Sequence, residues 1–202
     1  YHLDALEQWI LALPQGQQAA WDRVQNYIAV RRDNNDLFFN TTALWLEFDY
    51  DTTQQQYSSP NICFCLTDQY LYQQSLSPDN DLNVILDGIN AIVPRLDNSQ
   101  IDTLTRCIAC LENKGTVIHV SVMQARRPVA LKLFIEIPQS QCINFLIQAG
   151  WQGQTQSLND MLSSMFPSST GYEKLYMDMN IHDFCAPSGT KLAFTYTQQH
   201  LH

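Results

Sequence analysis

The feature that most constrains the fold of this chain is the regular alternation of helical and strand-like segments. Apolar residues recur every three to four positions in some segments and every second position in others. Taken in order, the segments predict two helices and then two strands, and this unit occurs three times. A pair of helices or strands cannot bury its apolar face alone, so the units must pack against one another.

Six segments alternate apolar and polar residues as strands do. In the first of them, Leu44 and Leu46 point to one side and Glu47 points to the other. The predicted strands cover residues 43–51, 61–67, 117–125, 129–137, 174–180 and 191–197. The Gln-rich stretch 54–60 predicts a loop, because it lacks the alternation and ends at a proline.

The remaining regular segments carry apolar stripes at helical spacing. The predicted helices cover residues 3–13, 21–32, 81–93, 101–111, 142–149 and 158–165. Ser99, followed by Asp102 three residues later, predicts a capping box at the start of a helix. Ser157 with Asp160 predicts another helix start, and Gly150 marks a helix end.

Together these segments predict an α+β domain made of tandem ββαα units. The sheet is expected to be mainly antiparallel, with helices on one face, and either open or curled into a partial or full barrel. Residues 1–36 form an N-terminal helical segment and residues 43–202 the repeated units, within a single domain 1–202. The chain begins without Met and ends in mid-pattern, which suggests a piece of a longer protein.

The charge balance narrows the classes of partner. The chain has 11 Lys and Arg against 20 Asp and Glu, a formal net charge of −9. Proteins that bind nucleic acid or an acidic membrane surface usually carry a basic stripe, so no nucleic acid and no membrane partner is expected. No apolar run approaches the roughly 20 residues of a membrane helix, and no signal peptide is evident.

Four of the six cysteines lie in apolar, regular segments: Cys63, Cys65, Cys107 and Cys110. The last two have the spacing of half a zinc or redox motif, and His182-x-x-Cys185 could supply the other half. That first pair falls in mid-helix, so small, buried, reduced thiols are the preferred interpretation. We therefore expect no metal, no cofactor and a cytoplasmic location.

The sheet face opposite the apolar set holds the candidate functional residues. Glu47, His119 and Asp178 are the candidate catalytic residues, since a histidine beside carboxylates can act as a general base. The candidate binding residues on this face are aromatic or cationic: Trp45, Lys132, Phe134, Tyr176 and Lys191. All have an alternative interpretation, because a solvated sheet face also carries mixed charges and a strand histidine is more often structural.

Two further pairs place like charges at short spacing. Glu47 and Asp49 lie two apart on one predicted strand, where close carboxylates can separate their pKa values and supply an acid and a base. Arg126 and Arg127 occupy a hairpin turn and could hold a phosphate or carboxylate. The simpler interpretations, a wet strand face and a solvated turn, are preferred.

The order of elements resembles that of the ABBA-type aromatic prenyltransferases, whose repeated helix–strand–strand–helix units close a barrel around a solvent-filled lumen. The strings LWLEFD (residues 44–49) and IHVSVM (residues 118–123) also look like those of uncharacterised bacterial proteins of unknown function. The first resemblance implies an acidic strand residue, Glu47, that orients or deprotonates an aromatic acceptor. It also implies cationic strand residues, Lys132 and Lys191, at the diphosphate.

Two hypotheses follow for the function. The first is a prenyltransferase-like protein that uses a polar sheet face or lumen to bind a small molecule or peptide, with Trp45, Phe134 and Tyr176 shielding a carbocation. The second is a non-catalytic binding or assembly module, in which the same face or its edges hold a peptide or protein partner. The low content of basic residues favours the second, and the clustering of charged side chains on one face favours the first.

Overall fold

The computed structural model describes residues 18–33, 41–66, 78–93, 95–112, 114–126, 128–166, 174–181, 184–185 and 192–195. The helix predicted over residues 3–13 lies outside these ranges. The described helices are α1 (Gln18–Asp33), α2 (Pro78–Asn90), α3 (Asn98–Leu111), α4 (Gln139–Ala149) and α5 (Thr155–Met165). The described strands are β1 (Thr41–Glu47), β2 (Tyr50–Asp51), β3 (Gln56–Tyr57), β4 (Asn61–Leu66), β5 (Thr116–Met123), β6 (Ala130–Pro138), β7 (Lys174–Asn180) and β8 (Leu192–Thr195).

These elements confirm the α+β class and the mainly antiparallel sheet. Strands β1 and β4, β6 and β7, and β7 and β8 pair antiparallel, and so do β2 and β3 in a separate two-stranded sheet. From α2 onward, helix pairs and strand pairs alternate along the chain as the apolar periods predict. In the part of the chain that the structure describes, every helix is too short or too polar to cross a bilayer.

The chain divides into two compact units, and strand β5 contributes to both. The first unit holds residues 1–96 and 121–130, and the second holds residues 97–120 and 131–202. In the first unit the strand order is β1-β4-β5, and in the second it is β5-β6-β7-β8.

The core of the first unit lies between helices α1 and α2 and strand β4. Tyr27 of α1 stacks on Phe64 of β4 with ring centroids 6.0 Å apart, and both side chains are fully buried. Gly88 of α2 lies directly over the Phe64 ring, where a Cβ atom would be 2.7 Å from Cζ. The close approach of α2 to this ring therefore depends on the absence of a side chain at position 88.

The loop predicted over residues 54–60 is confirmed for residues 54–55 and 58–60, but residues 56–57 form one strand of a short hairpin. Strand β1 ends at Glu47, and β2 and β3 pair Tyr50 with Tyr57 and Asp51 with Gln56. The turn is closed by Asp51, whose Oδ1 accepts hydrogen bonds from Thr53 N at 2.7 Å and Gln54 N at 3.1 Å. The prediction of one continuous strand over residues 43–51 was wrong, because this hairpin begins before residue 51.

The second unit has a sheet with one apolar and one polar face. The alternating residues on β6 and β7 that point to the apolar face have no exposed surface: Leu131, Leu133, Ile135, Ile137, Leu175, Met177 and Met179. Helix α4 contacts α3, α5 and β7, and it contributes buried Phe145 and Leu146. The helices of this unit cover the apolar face, as the single-sided stripes predict.

The helix ends in the second unit show where capping predictions succeed and fail. Asp97, not Ser99, is the N-cap of α3, and its Oδ1 accepts a hydrogen bond from Ser99 N at 2.9 Å. Helix α5 begins after Gln154 without a side-chain cap, so the cap predicted at Ser157 was also wrong. Gly150 ends α4 in the left-handed conformation at φ 92°, which confirms the predicted stop.

Candidate functional site

The polar face of the second unit gathers five of the eight candidate residues from three adjacent strands. On β6, Lys132 and Phe134 alternate with the buried apolar residues and are half-buried. Across the pairing with β7, Lys132 lies opposite Asn180 and Phe134 lies opposite Asp178. His119 on β5 and Tyr176 on β7, both half-buried, complete the set. The two-residue period of the strands is what brings these side chains to one side.

Three of these side chains stack into a row of parallel rings. The ring centroids of His119 and Phe134 are 4.4 Å apart at an interplanar angle of 11°, and those of Phe134 and Tyr176 are 5.7 Å apart at 12°. This spacing is close to the roughly 4.8 Å between neighbouring strands, so each ring stands over its own strand. Stacked pairs contribute about 0.5–1.5 kcal/mol beyond the area that they bury. We call His119, Phe134 and Tyr176 the aromatic row.

Two ion pairs flank the aromatic row. Lys132 Nζ lies 3.4 Å from Asp178 Oδ2, with the two side chains 24% and 33% exposed. Lys174 Nζ lies 2.6 Å from Glu136 Oε1. Pairs this accessible contribute little to stability, about 0–1 kcal/mol each. Because Asp178 and Glu136 are each paired with a lysine ammonium group, these four side chains add no net charge beside the rings.

The other three candidate residues lie in the first unit or outside the described residues. Trp45 and Glu47 lie on β1 in the first unit, both half-buried, opposite Cys63 and Asn61 of β4. Lys191 lies outside the described residues. Of the predicted catalytic set, the structure therefore places His119 and Asp178 on the same face of the sheet of the second unit and describes Glu47 in the first unit.

The sequence contains two pairs of like charges, and one residue of the first pair, Asp49, contacts one residue of the second pair, Arg126. Asp49 follows the end of β1 and accepts two hydrogen bonds from Arg126, at 3.3 Å from Nε and 3.1 Å from Nη2. This ion pair is a structural contact within the first unit. Because the guanidinium group of Arg126 is bound to a carboxylate, Arg126 is neither a purely solvated turn residue nor available to hold an anionic ligand. The side chain of Arg127 lies outside the described residues.

The cysteines of the CxxC segment lie on α3, as predicted. Cys107 is fully buried, and burial raises the pKa of its thiol far above the ordinary value, with nearby Cys110 and Cys185 adding to the effect. Burial also raises the pKa of Cys142, on α4, to about 12. Thiols with such pKa values stay protonated at neutral pH, so neither Cys107 nor Cys142 is a nucleophile in the folded chain. His182 lies outside the described residues.

Sequence reasoning missed two features of potential functional importance. Glu136 and Lys174 belong to the polar face, but their strand positions alone did not indicate that they pair with each other. An exposed group of aromatic side chains around the β2–β3 hairpin was also missed. The alternation of Phe48 and Tyr50 with acidic residues was a signal for it, and it was interpreted as part of one long strand.

The polar face is chemically suited to contact a flat, unsaturated group with polar ends. Stacked rings offer apolar edges and faces, and the flanking ion pairs offer both a donor and an acceptor close to them. Searches of this chain against protein-family models, curated proteins and solved structures found no match.

Proposed function

We propose that this chain is a binding module that holds an aromatic group of a small molecule or peptide against the polar face of its second unit. The observation that carries the proposal is the aromatic row, in which three half-buried rings lie nearly parallel and each ring is within 6 Å of its neighbour in the row. Aromatic and apolar lining with a few placed polar groups is the usual composition of small-molecule sites.

The two ion pairs suit a ligand that carries a hydrogen-bond donor and an acceptor beside its ring. Each of the two strands presents one ammonium and one carboxylate group: β6 carries Lys132 and Glu136, and β7 carries Lys174 and Asp178. An aromatic residue at the end of a peptide has a flat ring, a backbone donor and a carboxylate, and it can meet each of these groups. We also propose a location in the cytoplasm, because the described cysteines all have free thiols.

A prenyltransferase-like activity is the second candidate, favoured by the presence of rings and carboxylates on one face. Aromatic faces can stabilise a carbocation, and Asp178 or Glu136 could orient an acceptor. Against it, Lys132 and Lys174, the lysines that the structure describes on this face, are each paired with a carboxylate, whereas a diphosphate requires several open cations. Incubation with an allylic diphosphate and Gly-Trp, followed by mass spectrometry, distinguishes the candidates: transferase activity produces a prenylated dipeptide, and a binding module leaves Gly-Trp unchanged.

The binding proposal is tested with the dipeptide Gly-Trp as the probe and isothermal titration as the assay. Phe134→Leu and Tyr176→Leu remove one ring each from the aromatic row while keeping an apolar side chain. Loss of one stacked ring should weaken Gly-Trp binding about three- to tenfold. Tyr57→Leu, which removes an exposed ring from the first unit, is the matched control and should leave the affinity unchanged.

Two outcomes would contradict the proposal. Equal affinity in the Phe134→Leu variant and the parent chain would show that the row is a structural ladder across the strands. An equal loss in Tyr57→Leu and Tyr176→Leu would show that Gly-Trp binds exposed rings without preference.

A further inference from the structure

Four aromatic side chains of the first unit form a continuous surface group that the proposed function does not use. Ring centroids are 6.2 Å apart between Trp21 and Phe48, 6.5 Å between Phe48 and Tyr57, and 5.0 Å between Tyr57 and Tyr50. Phe48, Tyr50 and Tyr57 are 39%, 50% and 66% exposed. Contiguous exposed apolar groups of this kind mark interaction surfaces. We call these four residues the aromatic patch.

The aromatic patch is held in place by the hydrogen bonds of the β2–β3 hairpin. Ser58 N donates to the carbonyl oxygen of Asp49 at 2.7 Å, and Asp49 N donates to Ser58 Oγ at 3.0 Å. The bidentate contact of Arg126 with Asp49 ties the hairpin base to the turn after β5. A hairpin held in this way loses little backbone freedom when a partner binds.

Charge around the aromatic patch is negative. Residues 47–57, which hold three of the four rings, contain Glu47, Asp49 and Asp51 and neither Lys nor Arg. Arg126 pairs with Asp49, so the charge that remains on this segment comes from Glu47 and Asp51. Asp51 is exposed, and hydrogen bonds from Thr53 and Gln54 lower its pKa, so it stays ionised near neutral pH. Aromatic faces attract cations through their quadrupole, and nearby carboxylates add to that attraction.

We propose that the aromatic patch docks an arginine-containing basic segment of a protein partner. The planar guanidinium group stacks on aromatic faces and pairs with carboxylates, and the patch offers both within one hairpin. Charge complementarity identifies the occupant, because an acidic or apolar segment would place no cation against the rings or against Asp51. This docking surface lies in the first unit and does not depend on the aromatic row.

The probe is a fluorescein-labelled nonapeptide of alternating Arg and Ser, and binding is followed by fluorescence polarisation at about 0.15 M salt. A second peptide with citrulline in place of Arg keeps the shape and removes the charge. The Arg peptide should bind at least tenfold more tightly than the citrulline peptide. Tyr57→Ala should weaken Arg-peptide binding about two- to fivefold, and Phe48→Ala combined with Tyr57→Ala about tenfold. Tyr57→Phe keeps the ring and should bind like the parent.

A pair of charge variants separates the site from the general acidity of the chain. Asp51→Asn retains an oxygen acceptor for the turn while removing one charge, and it should weaken binding about two- to fivefold. Asp160→Asn removes the same charge from the exposed side of α5 and should have no effect. Circular dichroism verifies that each variant is folded, and Tyr57→Ala alters a side chain that is mostly exposed.

Three results would overturn the proposal. The first is equal affinity of the parent chain for the Arg and citrulline peptides. The second is an equal loss in Asp51→Asn and Asp160→Asn, which would assign binding to net charge. The third is self-association in sedimentation velocity that Phe48→Ala with Tyr57→Ala abolishes, since the occupant would then be a second copy of this chain.

Discussion

Substituting Gly88 by Ala is expected to destabilise the first unit although Ala is the better helix former. In the interior of α2 the change should gain about 1 kcal/mol in helix propensity. The new Cβ would lie 2.7 Å from Cζ and 2.9 Å from Cε2 of Phe64, below any normal carbon–carbon contact. Phe64 cannot yield, because its other side stacks on Tyr27 and both rings are fully buried. Overpacking of this kind costs about 2–3 kcal/mol, so the net loss is about 1–2 kcal/mol.

The assay is thermal unfolding followed by circular dichroism. For a chain of about 200 residues, that loss corresponds to a Tm lower by about 2–8 °C. Asn83→Ala, at an exposed position of the same helix, controls for propensity and should raise the Tm slightly. Combining Gly88→Ala with Phe64→Leu should cost about 1 kcal/mol less than the sum of the single changes, because the smaller side chain relieves the contact. A Tm for Gly88→Ala equal to or above that of the parent would refute the packing described for α2 and β4.

Three further predictions concern single groups. Asp97→Ala should cost about 1 kcal/mol of stability in urea denaturation, because it removes the side-chain cap of α3. The pKa of Asp51 lies below its ordinary value of 3.8, chiefly through the hydrogen bond from Thr53, so Thr53→Ala should raise that pKa in a carbon-13 NMR titration. Since the folded-state pKa is the lower one, the stabilisation from Asp51 is present above about pH 4 and is lost as the pH falls through the depressed value. In the folded chain at pH 8, iodoacetamide should label exposed Cys185 and leave buried Cys142 unmodified until urea is added.

The main elements of the fold could be predicted because their apolar residues face one side only. On β6, Leu131, Leu133 and Ile135 alternate with polar or aromatic residues, and this two-residue period is typical of a strand with one buried face. The end of α4 at Gly150 could also be predicted, because glycine tolerates the left-handed conformation that ends a helix. The cap of α3 was misplaced by two residues, because Asp97 and Ser99 are both good caps and the choice between them depends on backbone geometry.

The hairpin at residues 50–57 could not be predicted from periodicity. Its two strands have two residues each, too few to show an alternation, and its turn consists of Thr and Gln. The hydrogen bonds that order it come from the side chain of Asp51 and from Ser58, which are local contacts that an apolar pattern does not reveal. The aromatic patch was missed for the same reason.

The candidate site could be predicted as a set of side chains on one face but not as a set of pairs. Alternation places Lys132 and Phe134 on the polar side of β6 whatever the neighbouring strand is. That Lys132 meets Asp178, and that Phe134 stacks with His119 and Tyr176, depends on strand order and register. These are set by packing between distant segments, which one sequence does not specify.

The measurement that tests the central claim most directly is a search for intermolecular nuclear Overhauser effects between Gly-Trp and the aromatic protons of the chain. The aromatic row predicts contacts from the indole protons to the rings of Phe134 and Tyr176, together with a shift of the His119 Cε1 proton. Indole contacts confined to Tyr50 and Tyr57, or none to the three rings of the aromatic row at a Gly-Trp concentration that saturates binding, would contradict the account.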